Sequence, residues 1–448
     1  ELVRITDAQY VGSTFECSSI STDSRKLDPG DLFFALSGEN FDGTDFVEGA
    51  VDAGAVAAVS SRAVEGCPCL VVDDPLTALQ KLAKHHRAQF SIPVLAITGS
   101  CGKTSCKELI ASILGTKFRV VKTQGNFNNA IGCPLSIMQM DAATEFLVLE
   151  MGANHPREIE DLSTIASPTE AAITMIGTAH LEGFGTIEDV AAAKGEIVSG
   201  LPSDGVFYEN TDDARCRTIG DAFAGVRVGY GRHGSVQLRA CDFDESGEMN
   251  LDIDPIGRLS LPLFAEAHAQ NVLLAVAVGL QHGITVFEPA LREACMATSR
   301  FKVSLFNGYE IIDDTYNANP ESMRVAIEAL GGRPSSGQRI AVLGCMGELG
   351  SKSEDLHHKT GTLLGKHGIN AVFVRGIHAE SLIAGAQASG VTTAEVIDLH
   401  ETMAERVSQL ARTGDVVLFK GSRGMTMERV IALLAGDRQV ESEDSNQG

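Results

Sequence analysis

Residues 94–104, Val-Leu-Ala-Ile-Thr-Gly-Ser-Cys-Gly-Lys-Thr, constrain the fold more than any other stretch of this chain. Residues 94–98 read as a buried strand, Gly99 to Gly102 as a tight turn, and residues 106–114 as a helix. In that order the three make a phosphate cradle. The glycines let successive backbone N–H groups converge on phosphate oxygens, and the helix N-terminus adds its partial positive charge. Gly99, Ser100, Cys101 and Gly102 would form the cradle, Lys103 would neutralise the terminal phosphates, and the Thr104 hydroxyl would sit on a magnesium ion. The spacing is G-x-x-G-K-T, tighter than the general G-x-x-x-x-G-K-[ST] pattern, whose first glycine falls on Ile97. The plainer alternative is a strand-turn-helix junction carrying a solvated lysine.

A chain of 448 residues is too long for one core, and its length suggests about three domains. Residues 1–90 alternate short apolar runs with turn chemistry and read as a small α/β domain, with helical spacing at 46–58 and 75–90. Residues 91–300 repeat strand and helix, with strands at 94–98, 118–122, 146–151 and 171–176, which predicts a mostly parallel, helix-covered sheet. Residues 236–263 look like a β-hairpin insertion, and 265–280 like a buried helix. Residues 301–448 form another α/β unit with strands at 339–343, 371–375, 395–398 and 416–420, ending in an acidic, polar tail from Gly436. The predicted fold class is therefore α/β in three domains, a central parallel sheet carrying the phosphate loop and flanked by two smaller units.

In such sheets ligands bind beyond the carboxyl ends of the strands. That rule selects two places besides the loop itself, Glu150 and the stretch just beyond Ile176; other candidates come from residue chemistry. Glu150 ends its strand beside the cradle and could hold magnesium, directly or through water; the plainer alternative is that it caps the helix near Pro156. His180 lies in the glycine-rich loop 177–185, where a histidine is often only a surface group. Asn126, Asn128 and Asn129 offer uncharged donors and acceptors suited to sugar or peptide amides, although asparagine and glycine also cluster in ordinary turns. Ser24 and Arg25 could take a phosphate or a uracil ring, or form a capped turn. Lys420, Ser422 and Arg423 put cations at a strand end where a carboxylate or phosphate could dock.

The formal charge of −23 argues against a nucleic-acid or anionic-membrane surface, so anionic substrates must meet a few placed cations inside clefts. Ten scattered cysteines lack zinc-site spacing and suit free thiols in a reducing cytoplasm. No apolar run approaches a membrane span, and no leader pattern opens the sequence. A soluble, cytoplasmic protein acting as a monomer is the expectation.

Together these motifs resemble the Mur ligases, and within them the MurF type. Thr98 to Thr104 is similar to that family's T-G-x-x-G-K-T loop, and Glu150, His180 and Lys194 fall at matching positions. Three further stretches resemble the MurF type rather than its sister enzymes: Gly125-Asn-Phe-Asn-Asn-Ala-Ile-Gly-Cys-Pro-Leu135, Asp313-Asp-Thr-Tyr-Asn-Ala-Asn-Pro320 and Lys420-Gly-Ser-Arg-Gly-Met425. The resemblance implies a UDP-sugar-binding domain at 1–90, an ATP-binding domain at 91–300 and a Rossmann-like ligase domain at 301–448. It implies an ATP-dependent enzyme that adds D-alanyl-D-alanine to UDP-N-acetylmuramoyl-tripeptide through an acyl phosphate.

Carried over by position, Lys103, Glu150, His180 and Lys194 would be the catalytic set. Thr104 and Glu150 would serve one magnesium, and His180 with a carbamylated Lys194 a second. Asn271, Arg300 and Asp314 would meet ATP, with Tyr316 and Asn317 near its adenine. Asn126, Asn128 and Asn129 would face the muramoyl-peptide, and Lys420, Ser422 and Arg423 the incoming dipeptide.

Two departures stand out. Ala267-His268 occupies the place of a usual His-Asn, and Cys345 replaces the acid of a Gly-Asp-Met-x-Glu-Leu-Gly stretch. Rival readings are another ligase of the same architecture and, from a different class, a P-loop switch protein. The switch is disfavoured because the base-reading N-K-x-D is absent.

Overall fold

The computed structural model describes residues 1–38, 40–297 and 301–436, and of Val11 the backbone alone. Arg300 and the tail beyond Gly436 lie outside the described residues. Three separate sheets divide the chain. The first orders its strands Gln9–Val11, Cys69–Val71, Ala57–Ser60, Asp31–Phe34 and Ser19–Ser21, all parallel except the first pair. The stretch expected to be one helix at 46–58 instead holds a short helix, Val47–Asp52, and then a fully buried strand. Ala57, Ala58 and Val59 carry helix-compatible apolar spacing, and parallel pairing on both sides decides for strand.

The helix Pro75–Arg87 ties this sheet to the next domain. Asp74 caps it, accepting from the amides of Leu76 and Thr77, with proline in its first turn. At its far end the Arg87 guanidinium is buried and donates to the carbonyls of Ala166 and Ser167, the unsatisfied end of the helix Glu158–Ala166.

The central sheet orders nine strands: Gly257–Leu261, Met249–Asp254, Val236–Phe243, Val226–Gly231, Val206–Asn210, Glu170–Ile173, Val94–Thr98, Phe146–Glu150 and Val120–Lys122. From Val236–Phe243 to Val120–Lys122 it is parallel. The expected hairpin insertion is an antiparallel run of three strands that extends this same sheet. It alternates polar and apolar residues because one face packs on the buried helix His268–Gln281 and the other meets water. Strand Val94–Thr98 is buried along its whole length, with helices on both sides. Helix Lys103–Gly115 buries Cys106, Leu109, Ile110, Ile113 and Leu114, the i, i+3, i+4 stripe that seats it on the sheet. Each such aliphatic residue contributes about 1.5–3 kcal/mol.

The third sheet runs Lys302–Phe306, Tyr309–Asp314, Val416–Lys420, Arg339–Gly344, Ala371–Arg375 and Thr393–Val396, parallel apart from the first pair. Its last strand lies two residues earlier than the expected 395–398. The carboxyl ends of the central and third sheets contribute walls of one cleft.

Candidate active site

Val94–Thr98 sits between Phe146–Glu150 on one side and Glu170–Ile173 on the other, so the chain leaves the sheet in opposite directions from neighbouring strands. This is the switch point at which an open α/β sheet leaves a crevice. The cleft there has a volume of ≈1580 Å³. Its walls include Leu76 and Gln80 from the first domain, residues 100–105, Asn126, Asn128, Asn129, Glu150, His180 and Asn271 from the second, and Asp314, Tyr316, Asn317, Lys420 and Arg423 from the third.

Two glycines shape the phosphate loop. Gly99 has φ +141°, and a Cβ there would lie 2.0 Å from Thr174 Oγ1; Gly102 has φ +86°, and a Cβ would lie 2.7 Å from Asn271 Oδ1. The positive φ favours glycine at both places, and at Gly99 a Cβ would also crowd the backbone amides of Thr174 and Met175. Thr174 Oγ1 donates to the Cys101 carbonyl at 2.5 Å, and Ser100 Oγ is joined to both the N–H and the carbonyl of Gly177. Burial pushes the Cys101 thiol up, away from its reactive thiolate. Lys103 Nζ folds back onto the Gly99 carbonyl at 2.7 Å.

Glu150 is 2% exposed. Asn128 Nδ2 donates to its Oε1 at 2.7 Å, while Oε2 is buried and has no hydrogen-bond partner. A buried carboxylate oxygen left in that state calls for a cation, and beside Thr104 and a phosphate loop the donors are the hard oxygens that magnesium takes. Helix capping does not occupy Glu150, because Glu158 takes the amides of Asn154 and His155 ahead of the helix Glu158–Ala166. Among the described residues no three His, Cys, Asp or Glu side chains converge as a preformed metal cage.

His180 adopts a left-handed backbone, φ 57°, and its Nδ1 meets Glu348 Oε2 of the third domain. That contact holds the Glu348 carboxyl below the usual range against the opposing effect of burial. Lys194 lies behind the cleft wall rather than in it. It is 1% exposed, donates from Nζ to the Ala153 carbonyl at 3.1 Å, and sits 5.2 Å from the centre of the Phe184 ring. Burial, then the nearby positive charge of Lys103, pulls its ammonium down to about 7.

The third domain supplies Asp314 and Lys420 as a buried pair 2.5 Å apart, with Lys420 Nζ also 2.9 Å from the Asn317 carbonyl. Ser422 does not line the cleft; its hydroxyl donates to the Cys345 carbonyl at 2.7 Å. Cys345 is itself buried, so the acid's usual place is taken by a small side chain against Gly376 and Met425. His268 lines the cleft with its Nδ1 buried and unpartnered, and burial lowers its pKa to about 4, which keeps it neutral. Gly99 lies beneath the cleft surface. Ser24 and Arg25 are not among the lining residues, and Arg25 pairs with Asp23 two residues away at 2.9 Å.

Sequence reasoning missed the residues that join the domains. Asn319 Nδ2 donates to the Ser100 carbonyl at 3.1 Å, and Glu321 Oε1 accepts from the amide and hydroxyl of Thr178 at 2.6 and 2.8 Å. Their local signal, an Asn cap followed by proline, reads only as a helix start.

The "Mur ligase family, catalytic domain" profile matches residues 16–87, the "Mur ligase middle domain" 97–279, and the "Mur ligase, glutamate ligase domain" 299–423. The UDP-N-acetylmuramoyl-tripeptide--D-alanyl-D-alanine ligase of Bacillus subtilis (strain 168) is 36% identical over 92% of each chain, and that of Escherichia coli (strain K12) 34% over 97% of each. A crystal structure of MurF from Acinetobacter baumannii superposes with a TM-score of 0.89 at 31% identity, covering 97% of this chain and 98% of that one. MurF ligase from Thermotoga maritima in complex with ADP gives 0.83 at 32%, covering 94% and 97%.

Proposed function

The chain belongs to the Mur ligase family, and on that premise we propose that it joins D-alanyl-D-alanine to UDP-N-acetylmuramoyl-tripeptide at the expense of ATP, in peptidoglycan precursor synthesis. The observation that carries the site assignment is Glu150. One of its oxygens is held by Asn128 from the acceptor-side loop, and the other is buried and bare beside the phosphate loop. The carboxylate of the tripeptide attacks the γ-phosphorus of ATP, forming a C–O–P bond and releasing ADP. The dipeptide amine then attacks the acyl carbon, the C–O bond breaks, inorganic phosphate leaves and the amine loses a proton.

The loop amides and Lys103 hold the phosphates and stabilise charge on the transferring group, the largest contribution in phosphoryl transfer. Thr104 and Glu150 would hold magnesium, which neutralises phosphate charge when bound; His180 and Lys194 would serve a second ion. Lys194 suits carbamylation. An amine brought down to about 7 is substantially neutral near physiological pH and can add to carbon dioxide, losing a proton and becoming an anion that binds metal. Asn271, Asp314, Tyr316 and Asn317 border the nucleotide, and Arg423 the dipeptide. Asn319 and Glu321, docked on the loops of Ser100 and Thr178, help exclude water from the acyl phosphate.

Residues 1–90 would take the UDP-sugar, 91–300 ATP, and 301–448 the dipeptide. Among the described residues no helix is long and apolar enough to cross a membrane, and we infer a monomer working in the cytoplasm. The test is phosphate release measured with each substrate omitted in turn. Joint dependence on the nucleotide-sugar tripeptide and D-Ala-D-Ala is expected, and full-rate release without the dipeptide would overturn ligation.

A further inference from the structure

Lys107 lies one turn beyond Lys103 on the same face of the helix Lys103–Gly115, and its side chain is shut from solvent entirely. Its Nζ donates to the Thr123 carbonyl at 2.7 Å and to the Gly125 carbonyl at 3.3 Å, and it stands 3.1 Å from Glu108 Oε1. Three N–H donors thus meet three acceptors, which is the condition for burying an ammonium at all. Cys106, Ile110 and Ala111 beside it are buried and apolar, so packing alone asks for no charge at this position.

The loop it grips leads to Glu150 by two routes. Thr123 Oγ1 accepts from the Glu150 amide at 3.0 Å, and Asn128, farther along the same loop, donates to Glu150 Oε1 while its own carbonyl accepts from the Gly152 amide at 2.8 Å. Asn126 and Asn129 of this loop line the cleft. One helix therefore carries Lys103 toward the phosphates and Lys107 toward the loop that orients Glu150.

We propose that Lys107 is a positioning residue that sets the register of the 123–129 loop, and through it Glu150 and the acceptor peptide, against the nucleotide. It touches no substrate. The inference rests on the proposed function for the identity of the acceptor, while its mechanical part stands on the contacts alone.

The experiment compares Lys107→Met and Lys107→Arg with the wild-type full chain, reading steady-state kinetics for each substrate and amide hydrogen exchange. In Lys107→Met the KM for UDP-N-acetylmuramoyl-tripeptide should rise about tenfold or more, the scale seen when an outer partner of a site is lost. The KM for ATP should change less than about twofold, because Lys103 and its loop keep their place. Exchange should accelerate over 123–129 and stay unchanged over 99–104. Lys107→Arg, which restores charge and donors, should recover most of the tripeptide KM.

A folded Lys107→Met with both KM values unchanged, or both raised equally, overturns the proposal. If Lys107→Met does not fold, Lys107→Gln takes its place. The same split in that variant supports the proposal, and wild-type kinetics and exchange overturn it. A wild-type chain that ignores the tripeptide would overturn the proposed function instead, leaving loop exchange to decide the role of Lys107.

Discussion

Two parallel sheets face one cleft, and each brings a lysine to its carboxyl edge, yet the two lysines are held in opposite ways. Lys103, on the glycine-lined loop, is half-buried and donates to the Gly99 backbone carbonyl, an acceptor that a phosphate oxygen can replace. Lys420 is 1% exposed and locked between Asp314 and the Asn317 carbonyl. Sequence position alone treats them alike, as cations ending strands. The difference teaches that two cations ending strands at one cleft need not be equally free to change partners: burial and a carboxylate hold one, while the other is half-buried at the cleft wall. Lys420 is held as a clamp for the turn bearing Asp314, Tyr316 and Asn317, whereas Lys103 is poised on the open side of the cleft.

Removing one partner of the buried pair should produce the largest effect. Asp314→Asn leaves the Lys420 ammonium buried against a neutral group, and denaturant unfolding should show a loss of about 3–5 kcal/mol. A variant as stable as wild type would mean that the clamp carries no energy, and the contrast with Lys103 would collapse. Lys103→Met comes next and acts on the other axis. Turnover should fall by about 10²–10³-fold while the unfolding midpoint moves less than in Asp314→Asn, since a preorganised donor to the transferring phosphate is lost from a half-buried position. Comparable turnover in Lys103→Met would break the assignment of the loop.

A third lysine sharpens the comparison through pH. The pKa of Lys194 lies at about 7 in the folded chain against an ordinary 10.5. The unfolded chain therefore binds more protons between those values, so this residue's penalty on folding is complete below about pH 7 and fades as pH rises toward 10.5. In buffer freed of carbon dioxide, Lys194→Met should gain more stability over wild type at pH 6 than at pH 10. An equal gain at both would show that its ammonium is not disfavoured by burial. Bicarbonate should restore activity to wild-type enzyme depleted of carbon dioxide, and an unaffected rate would remove the carbamate from the mechanism.

The smallest effect on the fold belongs to Arg25, an exposed residue paired to its own turn. Arg25→Ala should leave the melting temperature where it was, because a surface pair of this kind contributes little. If the residue grips the nucleotide-sugar, the KM for that substrate alone will rise; an unchanged KM reduces it to a turn residue.

Local sequence determined a good deal. Gly99 and Gly102 are required by positive φ and close approach, Lys103 and Thr104 follow them onto a helix, and apolar runs at 94–98, 146–150 and 416–420 form the strands they resemble. These are properties of a few adjacent residues. They were legible because backbone sterics and hydrophobic period act over one or two turns of chain. The helical reading of 46–58 failed because parallel neighbours overrode a spacing that fits either element. The continuation of the central sheet through Val236–Leu261 was hidden for a related reason, since pairing partners far apart leave no mark on a strand's own pattern.

Only tertiary structure decided which charges are exchangeable and which are spent. Glu348 reaches His180 across 168 positions, Lys420 reaches Asp314 across 106, and Lys107 selects the carbonyls of a loop on another element. Whether a lysine becomes a phosphate ligand, a strut or a depressed amine depends on the acceptors and the dielectric that folding places around it. Those are set by the whole chain at once, not by the residue or its neighbours in sequence.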